Sequence, residues 1–312
     1  MGASRDAEPF LRYSTWLTAR YGEKTYRVSV DAGFSCPVRE RGVPCAYCDA
    51  GGSRAPYLGD RRAVADQIGR AIGFLRSRYA ARTFLLYFQA FSNTHAPVET
   101  LRQVYDFGLE QAAFRGLIVA TRPDCIDEDR AKLLAEYRRR GLDVWAELGL
   151  QSANDATLRR VNRGHTRAQF DEAVRLLARH GVGVAAHLIL GLPGEGRDEA
   201  IASAEHISRL PVGGVKFHNF VAVEGTALYD EYLAGKVRPP DSAQYRELLI
   251  ASLEHLRPDI VVMRLTCDPP RDARCAPSEF PDKATVYRRL CDDFRERGTT
   301  QGIYWSHHAD QR

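Results

Sequence analysis

The sequence predicts an α/β fold in which parallel strands alternate with amphipathic helices and curl into an open barrel. Two observations carry this expectation. Seven short runs rich in Val, Ile, Leu, Phe and Tyr recur along the 312 residues. Most lack sustained apolar–polar alternation, as strands covered on both faces require. Between them, apolar residues return every three or four positions, the mark of helices with one buried face. Such alternation gives right-handed βαβ units. A doubly wound sheet is the competing arrangement, and in either the reactive face lies at the carboxyl ends of the strands.

In chain order, the strands are expected at 25–30 (TYRVSV), 83–88 (TFLLYF), 116–121 (GLIVAT) and 143–150 (DVWAELGL). Three more follow at 182–190 (VGVAAHLIL), 214–223 (GVKFHNFVAV) and 259–265 (DIVVMRL). Over 60–79, Val64, Ile68, Ile72 and Leu75 share one helical face, and over 98–112 Leu101, Val104, Tyr105 and Leu109 do the same. Leu133, Leu134 and Tyr137 mark another helix, ending at Gly141. In HTRAQFDEAVRLLARHG, Thr166 and Gln169 have capping-box spacing and Gly181 suits the position just past the helix.

Apolar content of 44% and charged content of 27% are ordinary for a globular protein, so a core can form without staples. The formal charge is 44 minus 40, or +4, compatible with a polyanionic substrate but not demanding one. The Arg-rich stretches read as solvated helix faces. No apolar run nears the roughly 18 residues that span a bilayer, and MGASRDAEPF has no apolar signal core. The expectation is a cytoplasmic protein with no membrane partner. Seven cysteines, an odd number, then argue for metal or catalytic use rather than a disulfide framework.

The first strand runs into DAGFSCPVRERGVPCAYCDAGGS, which carries Cys36, Cys45 and Cys48. Three thiolates on one loop, with no fourth cysteine nearby, suit a [4Fe–4S] cubane with one iron left open for a small molecule. Gly33, Pro37, Gly42, Pro44, Gly51 and Gly52 permit the tight turns this needs. A zinc half-site is an alternative, requiring a fourth ligand such as His95, His165, His187 or His218, none of which is close in sequence. A thioredoxin-like redox pair would leave Cys36 unexplained.

This loop resembles the cluster loop of radical S-adenosylmethionine (SAM) proteins, in an expanded-spacing variant. The branch includes the elongator catalytic subunit and the oxygen-independent coproporphyrinogen dehydrogenase. The chain is most similar to a family of short bacterial radical SAM proteins linked to wobble-uridine modification of tRNA. The matching stretches include RVSVDAGFSCPVRERGVPCAYCDAGG, YFQAFSNTHAPVETLR, ATRPDCI, ELGLQSANDATLRRVNRGHT, HLILGLPGE and VKFHNFVAVEGTALY. A last block begins RLTCDPPRDARCAPSEF, and together they run in order from about residue 10 to about residue 303.

The resemblance implies a partial (β/α)6 barrel over 25–223, preceded by a segment 1–24 and followed by an extension 224–312 packing on the barrel. It implies a [4Fe–4S] cluster on Cys36, Cys45 and Cys48, and reductive cleavage of SAM to a 5′-deoxyadenosyl radical. A flavodoxin- or ferredoxin-like protein would supply the electron. YFQAFSN stands where many relatives carry a Gly-Gly-Glu turn that holds the methionine amine, so Gln89, Asn93 or backbone carbonyls would substitute. Tyr47 would shield the cluster or stack near the adenine. Glu147 and Gln151, taken as the end of the fourth strand, would bind ribose hydroxyls. Arg163 would approach the methionine carboxylate, and Gly191 would let backbone approach the adenine.

Lys216 and His218, two apart on a strand, face the same side and are candidates to line the lumen. Arg264, Asp268, Arg271, Lys283 and Gln301 could bind substrate anions or form a salt-bridged lid. Cys125, Cys267, Cys275 and Cys291 match no compact ligand loop and read as isolated thiols. The functional expectation is radical SAM chemistry on a tRNA wobble uridine. A porphyrin-like small acid is the alternative substrate, and a zinc-stabilised RNA-binding protein the alternative of another class.

Overall fold

The computed structural model describes residues 8–49, 51–52, 63–268 and 273–306. Strands β1 (Thr25–Val30), β2 (Thr83–Phe88), β3 (Phe114–Thr121), β4 (Asp143–Gln151), β5 (Gly183–Leu190) and β6 (Gly214–Asn219) pair in chain order, each parallel to the last. After β7 (Ala222–Val223), β8 (Val261–Arg264) joins β6 as a seventh parallel strand of the same sheet. β7 instead pairs antiparallel with β9 (Cys275–Ala276) in a separate ribbon.

The sheet curls. Lys216 on β6 reaches across to Tyr87 on β2, with Nζ 3.1 Å from the phenol oxygen. At the sheet's two edges, Arg27 on β1 lies 3.5 Å from the Met263 sulfur on β8. Side chains two strands or more apart meet only across a closed lumen.

The helices are α1 (Tyr13–Tyr21), α2 (Pro37–Glu40), α3 (Val64–Tyr79), α4 (Val98–Glu110), α5 (Glu128–Arg139) and α6 (Asp155–Arg160). Then come α7 (Arg167–Arg179), α8 (Arg197–Ser208), α9 (Ala227–Leu233), α10 (Ser242–Glu254) and α11 (Lys283–Arg297). Outward strand residues Leu86, Phe88, Leu117, Val119, Ala146 and Leu148 pack against Ile68, Leu101, Tyr105, Leu134, Phe170 and Leu177 of the helices. These faces were legible from periodicity. The Thr166–Gln169 capping box forms on α7, and Gly181 follows that helix at φ +70°. The expected start of the 60–79 helix at 60–62 lies outside the described residues.

Inward residues at the amino end of the barrel do something else. Leu85, Tyr87 and Ile118 pack on Leu17, with Tyr13, Trp16, Tyr21 and Trp145 around them. Trp16 and Trp145 meet edge to face at 5.7 Å, and Arg20 pairs with Asp143 at 2.6 Å. α1 therefore plugs the barrel floor, and burying Leu17 alone is worth roughly 1.5–3 kcal/mol. The last segment is likewise no simple appendage, because β8 lies within 224–312 and completes the sheet.

Two strand expectations need correction. The 214–223 run breaks after Asn219, whose side-chain oxygen accepts hydrogen bonds from Thr266 Oγ1 (2.8 Å) and the Cys267 amide (3.0 Å). The chain beyond then leaves the sheet to form β7. The 259–265 run shortens to β8 and carries a bulge. Val215 faces Val262, but Lys216 faces Arg264, so Met263 is skipped in the register. One extra residue inverts the alternation that follows. Arg264 thereby turns to the same side as Lys216.

Candidate active site

The cysteine loop lies at the carboxyl end of the barrel, between β1 and the loops that follow β2, β3 and β4. It is held by backbone. The Ala46 amide donates to Val161 (2.9 Å), Leu228 on α9 donates to Ala46 (3.0 Å), and Cys48 donates to Cys45 (2.9 Å). Asn162, at φ +50°, donates its amide to the carbonyls of Val43 (2.7 Å) and Pro44 (3.1 Å). The residue beside Arg163 in NRGH is thus a clamp on the cysteine loop.

Three guanidiniums attend the sulfurs. Arg39 lies 3.4 Å from Cys48 Sγ and also donates to the Asp49 carbonyl, while stacking over Phe91 at 5.2 Å. Arg163 Nη1 is 3.8 Å, and Arg122 Nη1 4.0 Å, from Cys45 Sγ. Arg122, only 2% exposed, also donates to the Arg163 carbonyl at 2.7 Å and is oriented by Asp124 at 2.8 Å. Arg163 in turn donates to the Gly149 carbonyl at 2.6 Å. A Cβ on Gly149 would sit 2.5 Å from Arg163 Nη2, so only glycine admits this approach.

The residues suit the expected cofactors on two counts. Three thiols on one loop, two of them with a guanidinium beside the sulfur, form a soft donor set that suits an iron–sulfur cluster. Tyr47 Oη, Gln89 Nε2, Asn93 Oδ1 and His218 Nε2 are buried without a hydrogen-bond partner. They sit on the cysteine loop, after β2 and on β6, around one mouth. Buried polar atoms of this kind call for a polar ligand. Among the described residues no three His, Cys, Asp or Glu side chains converge closely enough to hold a single metal ion.

The turn after β2 is strained. Ala90 and Phe91 have φ of +72° and +53°, the region glycine enters freely and other residues enter at about 1–2 kcal/mol each. The turn keeps a glycine-type backbone although glycine is absent. Ala90→Gly is expected to raise stability by about 0.5–1 kcal/mol, since relief of strain exceeds the added chain entropy. Urea midpoints decide it; a lower midpoint would mean that the buried Ala90 methyl outweighs the strain.

Below the mouth lies a charged lumen. Glu147 stands in the middle of β4, four residues before Gln151, and not at the strand end where ribose contact was expected. Its carboxylate is committed to protein, with Oε1 at 2.9 Å from Arg27 and Oε2 bonded to Lys216 and, at 3.0 Å, to His187. Burial opposes its ionisation, but Lys216, Arg27 and His187 outweigh it and hold the carboxyl well below the usual range. Burial pushes the Lys216 amine well down, only partly opposed by Glu147, and lowers His187 to about 4. His218 stacks on His187 at 5.5 Å, and burial beside Arg264 holds it neutral.

Lys216 and His218 face the lumen together, as their spacing predicts. Gln151 ends β4 at φ +75°. Gly191 follows β5 at φ +81°, where a Cβ would sit 2.5 Å from Pro240 Cγ. Asp268 and Lys283 pair with each other at 2.6 Å, and Gln301 ties Leu11 (2.8 Å) to Ile260 (2.9 Å). Asp268 and Lys283 thus form an exposed ion pair, and Gln301 ties the chain before α1 to the start of β8. Arg271 lies outside the described residues. All seven cysteines are free. Arg27, Arg39, Arg122 and Tyr87 were not singled out from sequence, and His187 was named there only as a possible zinc ligand. Arg122 sits within ATRPDCI and Arg39 three residues after Cys36, and those positions were the available signals.

Comparison with known proteins settles the family. The profile described as Radical SAM superfamily matches residues 33–207, and the Radical_SAM C-terminal domain matches 212–294. The chain belongs to the radical SAM superfamily. Protein YhcC of Escherichia coli K12 is 35% identical over 84% of this chain and 84% of its own. The tRNA uridine(34) acetyltransferase of Dehalococcoides mccartyi is 29% identical over 47% of this chain and 31% of its own length. The archaeal Elp3 of Methanocaldococcus infernus superposes with a TM-score of 0.70 at 17% identity, covering 89% of this chain and 64% of that one. This chain thus spans just under two thirds of that protein, and the likeness establishes the fold. The radical SAM barrel, the enzyme class, and the [4Fe–4S] cluster and SAM as cofactors follow from the family. Among the described residues no helix is long and apolar enough to cross a membrane.

Proposed function

We propose that this radical SAM enzyme modifies tRNA at the substituent of a wobble uridine, from a cluster held by Cys36, Cys45 and Cys48. The observation that carries the site assignment is the set of three thiols on one clamped loop, with Arg39, Arg122 and Arg163 against two of the sulfurs. When bound, the cluster and SAM supply one-electron cleavage of a sulfonium and hydrogen-atom abstraction from the substrate. The chain's own residues bind and orient. Arg163 and Arg122 place positive charge beside Cys45. Tyr47, Gln89 and Asn93 offer unfilled hydrogen-bonding positions to the methionine and adenosine moieties. The α1 plug and the packed lumen exclude water from the barrel floor. Support for the tRNA substrate comes from the named activity of the uridine(34) acetyltransferase and from the mildly basic charge.

Two measurements test this. Anaerobic reconstitution with SAM and dithionite should give a brown protein that releases 5′-deoxyadenosine and methionine in equal amounts. A protein with full iron that releases neither would sink the cofactor assignment. Mass spectrometry of tRNA nucleosides from a deletion strain should then show a wobble-uridine modification missing. An unchanged nucleoside profile would sink the tRNA assignment and leave the cofactor assignment standing.

A further inference from the structure

The lumen holds an imbalance of charge. Arg27, Lys216 and Arg264 are three basic side chains sharing one carboxylate, Glu147, among the described residues. Arg27 and Lys216 take both oxygens of Glu147. Arg264 is left over: no carboxylate among the described residues lies within ion-pair distance of it. It is only partly exposed and close enough to Lys216, His187, His218 and Tyr87 to affect their ionisation. The bulge that skips Met263 is what aims it inward. Bulges that re-aim one side chain recur next to active sites. Without this one, Arg264 would face the helices.

A second observation points to the same place. His218 Nε2 is buried with no hydrogen-bond partner. Burial, with Arg264, His187 and Lys216 beside it, holds the ring neutral, so one ring nitrogen carries a proton near neutral pH. A guanidinium without a carboxylate and an unpartnered imidazole nitrogen, in one water-poor lumen, are costly unless something anionic completes them. Guanidinium groups bind carboxylate and phosphate oxygens in a fork, which fixes orientation as well as charge.

We propose that the lumen contains an oxyanion subsite for the substrate, built by Arg264 and His218, which takes a carboxylate or phosphate group. This rests on the site assignment above and names the chemistry of what that site receives. The subsite lies beside Lys216, so an anion held there is steadied by a third basic side chain already neutralised in part by Glu147. A phosphate would come from a nucleotide, a carboxylate from a small acid or an acidic nucleoside substituent.

Selenate serves as the probe, with isothermal titration of the reconstituted enzyme and anomalous scattering from soaked crystals. The expected result is saturable binding and a selenium peak within hydrogen-bond reach of Arg264 and His218. Arg264→Gln should weaken binding at least tenfold and remove the peak. Arg264→Lys, which keeps charge but not the fork, should retain part of the affinity, and this guards against misreading a misfolded variant. Competition by uridine 5′-monophosphate or by succinate assigns the source to phosphate or carboxylate. No selenate in the lumen, equal binding by Arg264→Gln, or displacement by neither competitor (an adventitious ion only) would overturn the subsite. Iron content and 5′-deoxyadenosine release on the same wild-type batch report separately on the cofactor assignment.

Discussion

Replacing Cys45 with serine is expected to reduce both cluster content and 5′-deoxyadenosine release to background. Cys45 is the most buried of the three loop cysteines and the one that faces two guanidiniums, Arg122 at 4.0 Å and Arg163 at 3.8 Å. Iron–sulfur clusters are held by cysteine sulfur. A serine hydroxyl stays protonated and offers a hard oxygen where iron–sulfur chemistry favours thiolate. The substitution also leaves Arg122 and Arg163 facing each other over a neutral group, which repels both from their present positions. Cys36→Ser and Cys48→Ser should behave alike. Serine at Cys125, Cys267, Cys275 or Cys291 should leave iron near the wild-type level, because those four thiols lie outside the cysteine loop. Iron and sulfide assays with visible absorption near 400 nm decide the matter. Wild-type iron in Cys45→Ser, or its loss in all four controls, would disprove the assignment.

The strand and helix order was legible in the sequence because each element carries its own period. The interior of the barrel was not. Lys216 and His218 could be placed on one face by spacing alone, since the alternation of a strand is local. That Lys216 would find Glu147 on β4 and Tyr87 on β2 depends on how far the sheet curls, which no single strand encodes. Glu147 was placed too near the strand end, although the expected 143–150 strand already sets it four residues, two repeats of the pleat, before Gln151. Arg264 depended on a bulge at Met263, a shift of one residue invisible in VVMR. The cysteine loop was legible as chemistry, from spacing and residue type. Its guanidinium roof was not, because Arg39, Arg122 and Arg163 come from three separate segments and converge only in space.

Glu147→Gln is expected to destabilise the fold by about 3–5 kcal/mol at pH 7, the scale for removing one partner of a buried ion pair. Glu147 and Lys216 are each about 1% exposed, and the one carboxylate serves Arg27 as well. Glutamine keeps the shape but removes the charge, so both cations are left without compensation. In the wild type, the folded carboxyl titrates below the unfolded one. The unfolded chain therefore binds more protons in the acid range, and the stabilisation is complete above about pH 4.3 and declines as pH falls toward the folded value. In the variant the titration that matters moves to Lys216. Burial already lowers this amine, and without Glu147 nothing among the described groups opposes that lowering. The unfolded lysine then keeps its proton up to about pH 10.4 while the folded one sheds it. Stability of Glu147→Gln should accordingly rise more steeply between pH 7 and pH 9 than that of the wild type, in which Glu147 partly opposes the lowering. Adding Lys216→Met should recover part of the loss at pH 7 and remove that slope, the coupling expected of groups in contact. Urea midpoints at the two pH values measure both effects. A cost below about 1 kcal/mol, or a variant profile parallel to the wild type, would mean that water reaches the lumen and that Glu147 does not anchor its cations.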